Sequence, residues 1–118
     1  MIIELPYPNA ELMPNRRLGK HWSATKSAKD SALNTAFYLT KQACMGIKFH
    51  DAPIALTLTF VQSDKRNRDL DNLLAASKQN LDGVARALGI DDKLFEPITI
   101  KRGYNKLQSA TILELKQQ

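Results

Sequence analysis

The clearest order in the chain lies between Ile54 and Val61, where Ile54, Leu56, Leu58 and Phe60 alternate with Ala55, Thr57, Thr59 and Val61. A period of two in β-forming residues predicts a strand with one face in the core, and its apolar content places it centrally in a sheet. Further on a helical period takes over: at about 100° per residue, Leu70, Leu73, Leu74, Ser77, Leu81, Val84 and Leu88 fall on one stripe. This predicts a single helix from residue 71 to about 88, stopped by Gly89. The same wheel groups Asp71, Lys78 and Asp82 about 110° round from the stripe's centre. Residues 23–44 are rich in Ala, Lys and Leu and free of Gly and Pro, so they predict another helix, with Ser27 and Asp30 as a capping-box pair and Gly46 as its stop. Ile2–Leu5 is a short strand halted by Pro6 and Pro8, followed by an irregular, basic segment to about His21. Pro97–Arg102 and Ser109–Leu115 predict two strands joined by a turn at Gly103, Tyr104, Asn105 and Lys106. The order β-α-β-α-β-β predicts an α+β (mixed α/β) fold, a four-stranded mixed sheet packed with two helices, with residues 1–118 as one domain.

Charge narrows the class of partner. Seventeen basic against twelve acidic residues give a net charge of +5 and a pI near 9.5, which favours nucleic acid or another anionic surface. Cys44 is the only cysteine, which excludes an intrachain disulfide and any multi-cysteine metal cluster and suits a reducing cytoplasm. There is no basic leader and no apolar run long enough to cross a bilayer, so the expectation is a cytoplasmic protein without a membrane partner.

Candidate chemistry concentrates in one stretch. Lys65, Arg66 and Arg68 lead straight into Asp69, Leu70, Asp71 and Asn72, and a second acidic pair, Asp91 and Asp92, follows about twenty residues later. The cations suit a polyanion's backbone, while carboxylates set among them make chemical sense when divalent metal ions neutralise them in turn. Hard cations that activate water want several oxygen ligands, which makes Asp69, Asp71, Asp91 and Asp92 the candidate metal residues. A seventeen-residue helix is about 25 Å long, so residues at its two ends share a metal only if the chain folds back or a second subunit supplies the missing carboxylates.

Each part also has a plainer reading. One Asp at a helix start is an N-cap, Asp91–Asp92 is a turn, Lys78 and Asp82 form an i,i+4 pair, and the basic run is a solvated loop. Together they describe a non-catalytic nucleic-acid-binding module, the alternative to a nuclease. Other catalytic patterns are excluded: an EF-hand would need an oxygen ligand and a glycine where Leu73 and Leu74 stand. No P-loop, G-x-G-x-x-G or G-x-S-x-G is present, so no organic cofactor is expected, and His21 and His50 lack helical zinc spacing.

With these residues in view, the chain resembles the RusA family of Holliday-junction resolvases, small endonucleases of bacteria and their phages. The resemblance rests on Arg68-Asp69-Leu70-Asp71-Asn72-Leu73, on Lys78-x-x-x-Asp82-Gly83, on Asp91-Asp92, and on the opening Leu5-Pro6-Tyr7-Pro8 with Asn15-Arg16 after it. It implies a homodimeric, Mg2+-dependent nuclease, with Mn2+ the candidate substitute, that nicks two opposing strands of a four-way DNA junction and leaves 5′-phosphates. Flaps or forks are alternative branched substrates. It further implies Asp69, Asp71 and Asp92 as catalytic carboxylates with Asp91 beside them, and Lys78 as the catalytic lysine. Lys65, Arg66, Arg68, Asn15, Arg16 and Arg17 would then contact DNA. The family's lysine stands one turn after the second aspartate, where this chain has Ala75; Lys78 comes two turns after it.

Overall fold

The computed structural model describes residues 1–14 and 22–118. Four strands form one mixed sheet: β1 (Ile2–Leu5), β2 (Ile54–Gln62), β3 (Phe95–Tyr104) and β4 (Ala110–Lys116), in the spatial order β1-β4-β2-β3. The alternating segment is central, as its pattern predicts. It pairs antiparallel with β4 on one side and parallel with β3 on the other. The inward set Ile54, Leu56, Leu58 and Phe60 is at most 1% exposed, and it meets Ile3, Leu5, Leu113 and Leu115 from the antiparallel strands in one core.

Helices cover that face. Helix α1 (Trp22–Cys44) and helix α3 (Lys78–Leu88) pack closely on each other, and Ala36, Val84 and Ala85 join the core. The short α2 (Leu70–Ala76) adds Leu73, which is fully buried. Among the described residues no element covers the other face, where Ala55, Thr57, Thr59 and Val61 stay half-buried. No described helix is long and apolar enough to cross a membrane.

Three expectations need correction. The helix expected over 71–88 is broken at Ser77, giving three helices in place of two. The buried Ser77 hydroxyl donates to the Leu73 carbonyl at 2.8 Å, and its N–H bonds the Leu74 carbonyl, three residues back, tightening the backbone before α3 resumes. The strands on either side of Gly103–Lys106 are not neighbours, because β2 lies between them. The turn therefore hops across the end of β2, where the Asn105 N–H bonds the Gln62 carbonyl at 2.8 Å. Lastly, α1 starts at Trp22, so Ser27 and Asp30 sit inside it, and Asp30 pairs with Lys26 at 2.8 Å. Gly89 does stop α3: its φ of 69° is left-handed, and the bonds Gly89 N–H to Arg86 and Ile90 N–H to Ala85 close a Schellman motif.

Candidate functional site

The basic loop is held in one shape by its own acid. Asp64 takes both Arg68 guanidinium nitrogens, Nη1 on Oδ1 at 2.7 Å and Nη2 on Oδ2 at 3.2 Å, and its Oδ1 also accepts the Arg66 N–H at 3.2 Å. Those bonds, the Arg68 contact first, hold the Asp64 carboxyl below the usual carboxylate range and push the Arg68 guanidinium further up. Arg68 also lies 6.0 Å from the centre of the Tyr7 ring, and Lys65 lies 5.3 Å from that of Tyr104. Of the three loop cations, Arg68 is thus spent largely on structure. The Arg66 side chain makes no bond to a described residue.

Two residues outside the loop fix its position. Gln62, only 5% exposed, occupies the core-facing register of β2. Its Nε2 donates to the Arg66 carbonyl at 2.7 Å and reaches the Asp64 carbonyl at 3.5 Å, while Oε1 accepts from the Tyr7 hydroxyl at 3.3 Å. Burial raises the pKa of that hydroxyl. From β3, Arg102 donates Nε and Nη2 to the Arg68 carbonyl at 3.2 and 2.9 Å. That carbonyl precedes Asp69. The hydrophobic pattern assigns neither residue a role, although each is a polar break in an apolar alternation: Gln62 after Ile54, Leu56, Leu58 and Phe60, and Arg102 after Ile98 and Ile100.

What the loop delivers is a pair of uncommitted carboxylates. Asp69 stands at the N-cap position of α2, yet its side chain makes no capping bond. Asp71, in the first turn, is exposed, and neither residue bonds or ion-pairs with a described residue. Asp82, by contrast, pairs with Arg86 at 3.3 Å. Asp69 lines a cleft of about 360 Å3 with Arg66, Asn67, Arg68 and Asn72. A free carboxylate in a cleft with cations, with a second two residues on in the same helix start, is the donor type a hard divalent ion takes, since such an ion binds through one or two carboxylates when a substrate phosphate provides further oxygens.

Other expected members lie elsewhere. Lys78 is exposed and opens α3, beyond the break at Ser77 that separates it from the helix carrying Asp71. It lines a separate cleft with Leu12, Lys29 and Gln79. Asp91 serves as a turn residue: its Oδ1 accepts the Lys93 N–H at 2.9 Å, capping a short 3-10 turn at Asp92–Leu94, and that bond lowers its pKa. Asp92 is exposed beside it. Asn15, Arg16 and Arg17 lie outside the described residues.

The separation of the two acidic pairs follows from the sheet. Because β3 runs parallel to β2, Phe95 pairs with Ile54 at one end, whereas Arg102 pairs with Phe60 near the other and reaches to Arg68. Seven residue steps along β3 span roughly 23 Å. Asp91 and Asp92 lie before Phe95, so they sit at the opposite end of the sheet from Asp69 and Asp71. Among the described residues, no three His, Cys, Asp or Glu side chains gather as a metal site.

No family model matches the chain. An uncharacterized protein of Xylella fastidiosa (strain Temecula1 / ATCC 700964) is 34% identical to it over 95 residues, which make up 79% of this chain and 61% of that protein. The chain thus spans about three fifths of this relative's length.

Proposed function

We propose that the protein is a metal-dependent, structure-specific endodeoxyribonuclease of the RusA kind, acting as a homodimer on four-way DNA junctions. The observation that carries this reading is that Asp69 and Asp71 have no structural employment, while Asp64, Asp82 and Asp91 each have one. Two uncompensated carboxylates directly after a basic loop make little sense for a module that only binds DNA, since they repel the phosphates that the loop attracts. Mg2+ held by Asp69 and Asp71 would supply a Lewis acid and an activated water for phosphodiester hydrolysis.

The remaining work falls to the chain's own groups. Arg66 and Lys65 neutralise phosphates flanking the scissile bond without reading sequence. Arg68, locked by Asp64, holds the loop's curvature; Gln62 and Arg102 set the loop's height above the sheet, and with it where Asp69 emerges. Lys78, with Lys29 across its cleft, binds backbone further along the DNA rather than the reacting phosphate. A junction's approximate two-fold symmetry matches paired nicks made by a two-fold dimer.

The experiment is cleavage of a synthetic four-way junction with Mg2+. Wild type should cut; Asp71→Asn should lose at least about a hundredfold in rate while binding as well or better, because a negative charge near DNA is removed. Equal cutting by the variant removes the catalytic assignment. Binding of branched DNA by both proteins without cutting by either leaves the binding module.

A further inference from the structure

A second cleft, of about 250 Å3, lies where the end of β1 meets α1 and α3, with Leu5, Tyr7, Ser31, Thr35, Ala36 and Asn80 among its walls. None of the described residues that line it carries a charge. It is separate from the cleft that holds Asp69, yet the two regions share Tyr7. Arg68 lies 6.0 Å from the centre of that ring, and the Tyr7 hydroxyl donates to the same Gln62 side chain that fixes the basic loop.

Asn80 is the unexplained member of this lining. It stands on the inward stripe of α3 with Val84 and Ala87, at i+4 and i+7, and it is only 9% exposed. Its side-chain amide makes no hydrogen bond to a described residue. A buried polar group without a partner costs stability that an apolar residue of similar size at the same position would not. Proteins keep such groups where function needs them.

The chemistry of the cleft selects a class of ligand. With no cation in its walls it offers little to a phosphate. An amide that presents a donor and an acceptor side by side, two hydroxyls and apolar walls suit a flat, neutral ring with a matching edge, as when Asn pairs bidentately with adenine. At about 250 Å3 the cleft falls below the roughly 300 to 1,000 Å3 of sites for larger ligands, so it has room for one ring system. Its place behind Tyr7 makes DNA at the loop the source, and a base at a branch point has lost a stacking neighbour and costs less to draw out.

Resting on the nuclease reading above, we propose that this cleft receives one nucleobase drawn from the branch point and that Asn80 reads its edge. The base held there sets which phosphate stands at Asp69 and Asp71, so the choice of cutting position depends on sequence although the loop cations read none.

The test measures binding without metal, on four-way junctions that differ in one base pair beside the branch point. Wild type should bind the best of them about fivefold to a hundredfold more tightly than the worst, the discrimination of one good bidentate pair. Asn80→Leu, and Asn80→Ala, which adds no bulk, should bind every junction alike. The leucine variant should melt at or above the wild-type temperature, because it removes an unpaired buried amide. Equal binding of all junctions by the wild type, or discrimination that survives both substitutions, overturns the base pocket. A leucine variant that melts well below wild type shows that the amide holds the helix packing, and overturns it too. Cutting with Mg2+ is measured separately: a wild type that discriminates in binding but cuts no junction overturns the nuclease reading, and one that cuts while binding all junctions alike overturns the pocket alone.

Discussion

Replacing Gln62 by Leu separates what holds the loop from what holds the fold. The side chain is 5% exposed and bonds the loop twice, at 2.7 Å to the Arg66 carbonyl and 3.5 Å to that of Asp64. Leucine has nearly the same volume and gains apolar burial in a core that already holds Phe60, while the exposed loop carbonyls turn to water. Global stability should therefore change by about 1 kcal/mol or less. Locally the account differs. A neutral hydrogen bond contributes about 1 kcal/mol net, so losing one good bond and one long one lowers the cost of opening the loop by about 1 to 2 kcal/mol, a factor of roughly 5 to 30 in the open population. The loop contains Lys65, Arg66 and Arg68, all trypsin sites. Proteolysis of the native protein at those bonds should speed up by that factor, because cleavage tracks the open population when closing is fast. Urea unfolding should show an almost unchanged midpoint. Junction cutting should fall by about tenfold to a hundredfold, the scale of an ångström's misplacement of a catalytic group. If loop proteolysis stays at the wild-type rate, the Gln62 amide does not hold the loop; if proteolysis rises and cutting does not fall, the loop's position is irrelevant to activity.

Two further outcomes follow from packing and charge. A Cβ on Gly83 would lie 2.4 Å from the Leu33 carbonyl oxygen and 3.0 Å from Ala36 Cβ; Gly83→Ala gains about 1 kcal/mol in helix propensity but forces α1 and α3 apart at a cost toward 3 kcal/mol. The net loss of about 2 kcal/mol should lower the melting temperature by roughly 6 to 12 °C, and a melting temperature at or above wild type contradicts this close approach. Asp64 titrates below 3.8 in the folded protein because Arg68 and the Arg66 N–H favour its charged form. Its contribution is thus complete above the unfolded value and disappears as pH falls through the folded one. The melting-temperature difference between wild type and Asp64→Asn should be flat above pH 5 and shrink below about pH 4, and a difference that persists to pH 2 would show that the ion pair is not its source.

Most of the architecture was legible because it depends on residue-by-residue period. The alternation at 54–61 carried the central strand and the apolar stripe carried the helical region. What escaped was whatever depends on a side chain bonding locally or on a neighbour distant in sequence. Ser77 satisfied the helical wheel as a small residue, yet its hydroxyl turns back on Leu73 and breaks the helix. Gln62 and Arg102 were present as polar breaks in apolar alternations, but their meaning depends on which loop crosses above them. The reversal before β4 was legible at Asn105 and Lys106, although Gly103 and Tyr104 belong to β3, and turn chemistry specifies a reversal and not which strand lies alongside.

The separation of the acidic pairs follows from topology. Parallel strands cannot be joined by a tight turn; the chain must travel back along the sheet before the second strand begins, which takes a dozen residues or more. Asp69 and Asp71 come just after β2 ends, and Asp91 and Asp92 just before the parallel β3 begins. The twenty or so residues between them are the crossover itself, so the two pairs are held apart by a strand's length whichever way α2 and α3 bend. Folding back within the chain, one of the two ways a site could close, is thereby used up in making β3 parallel.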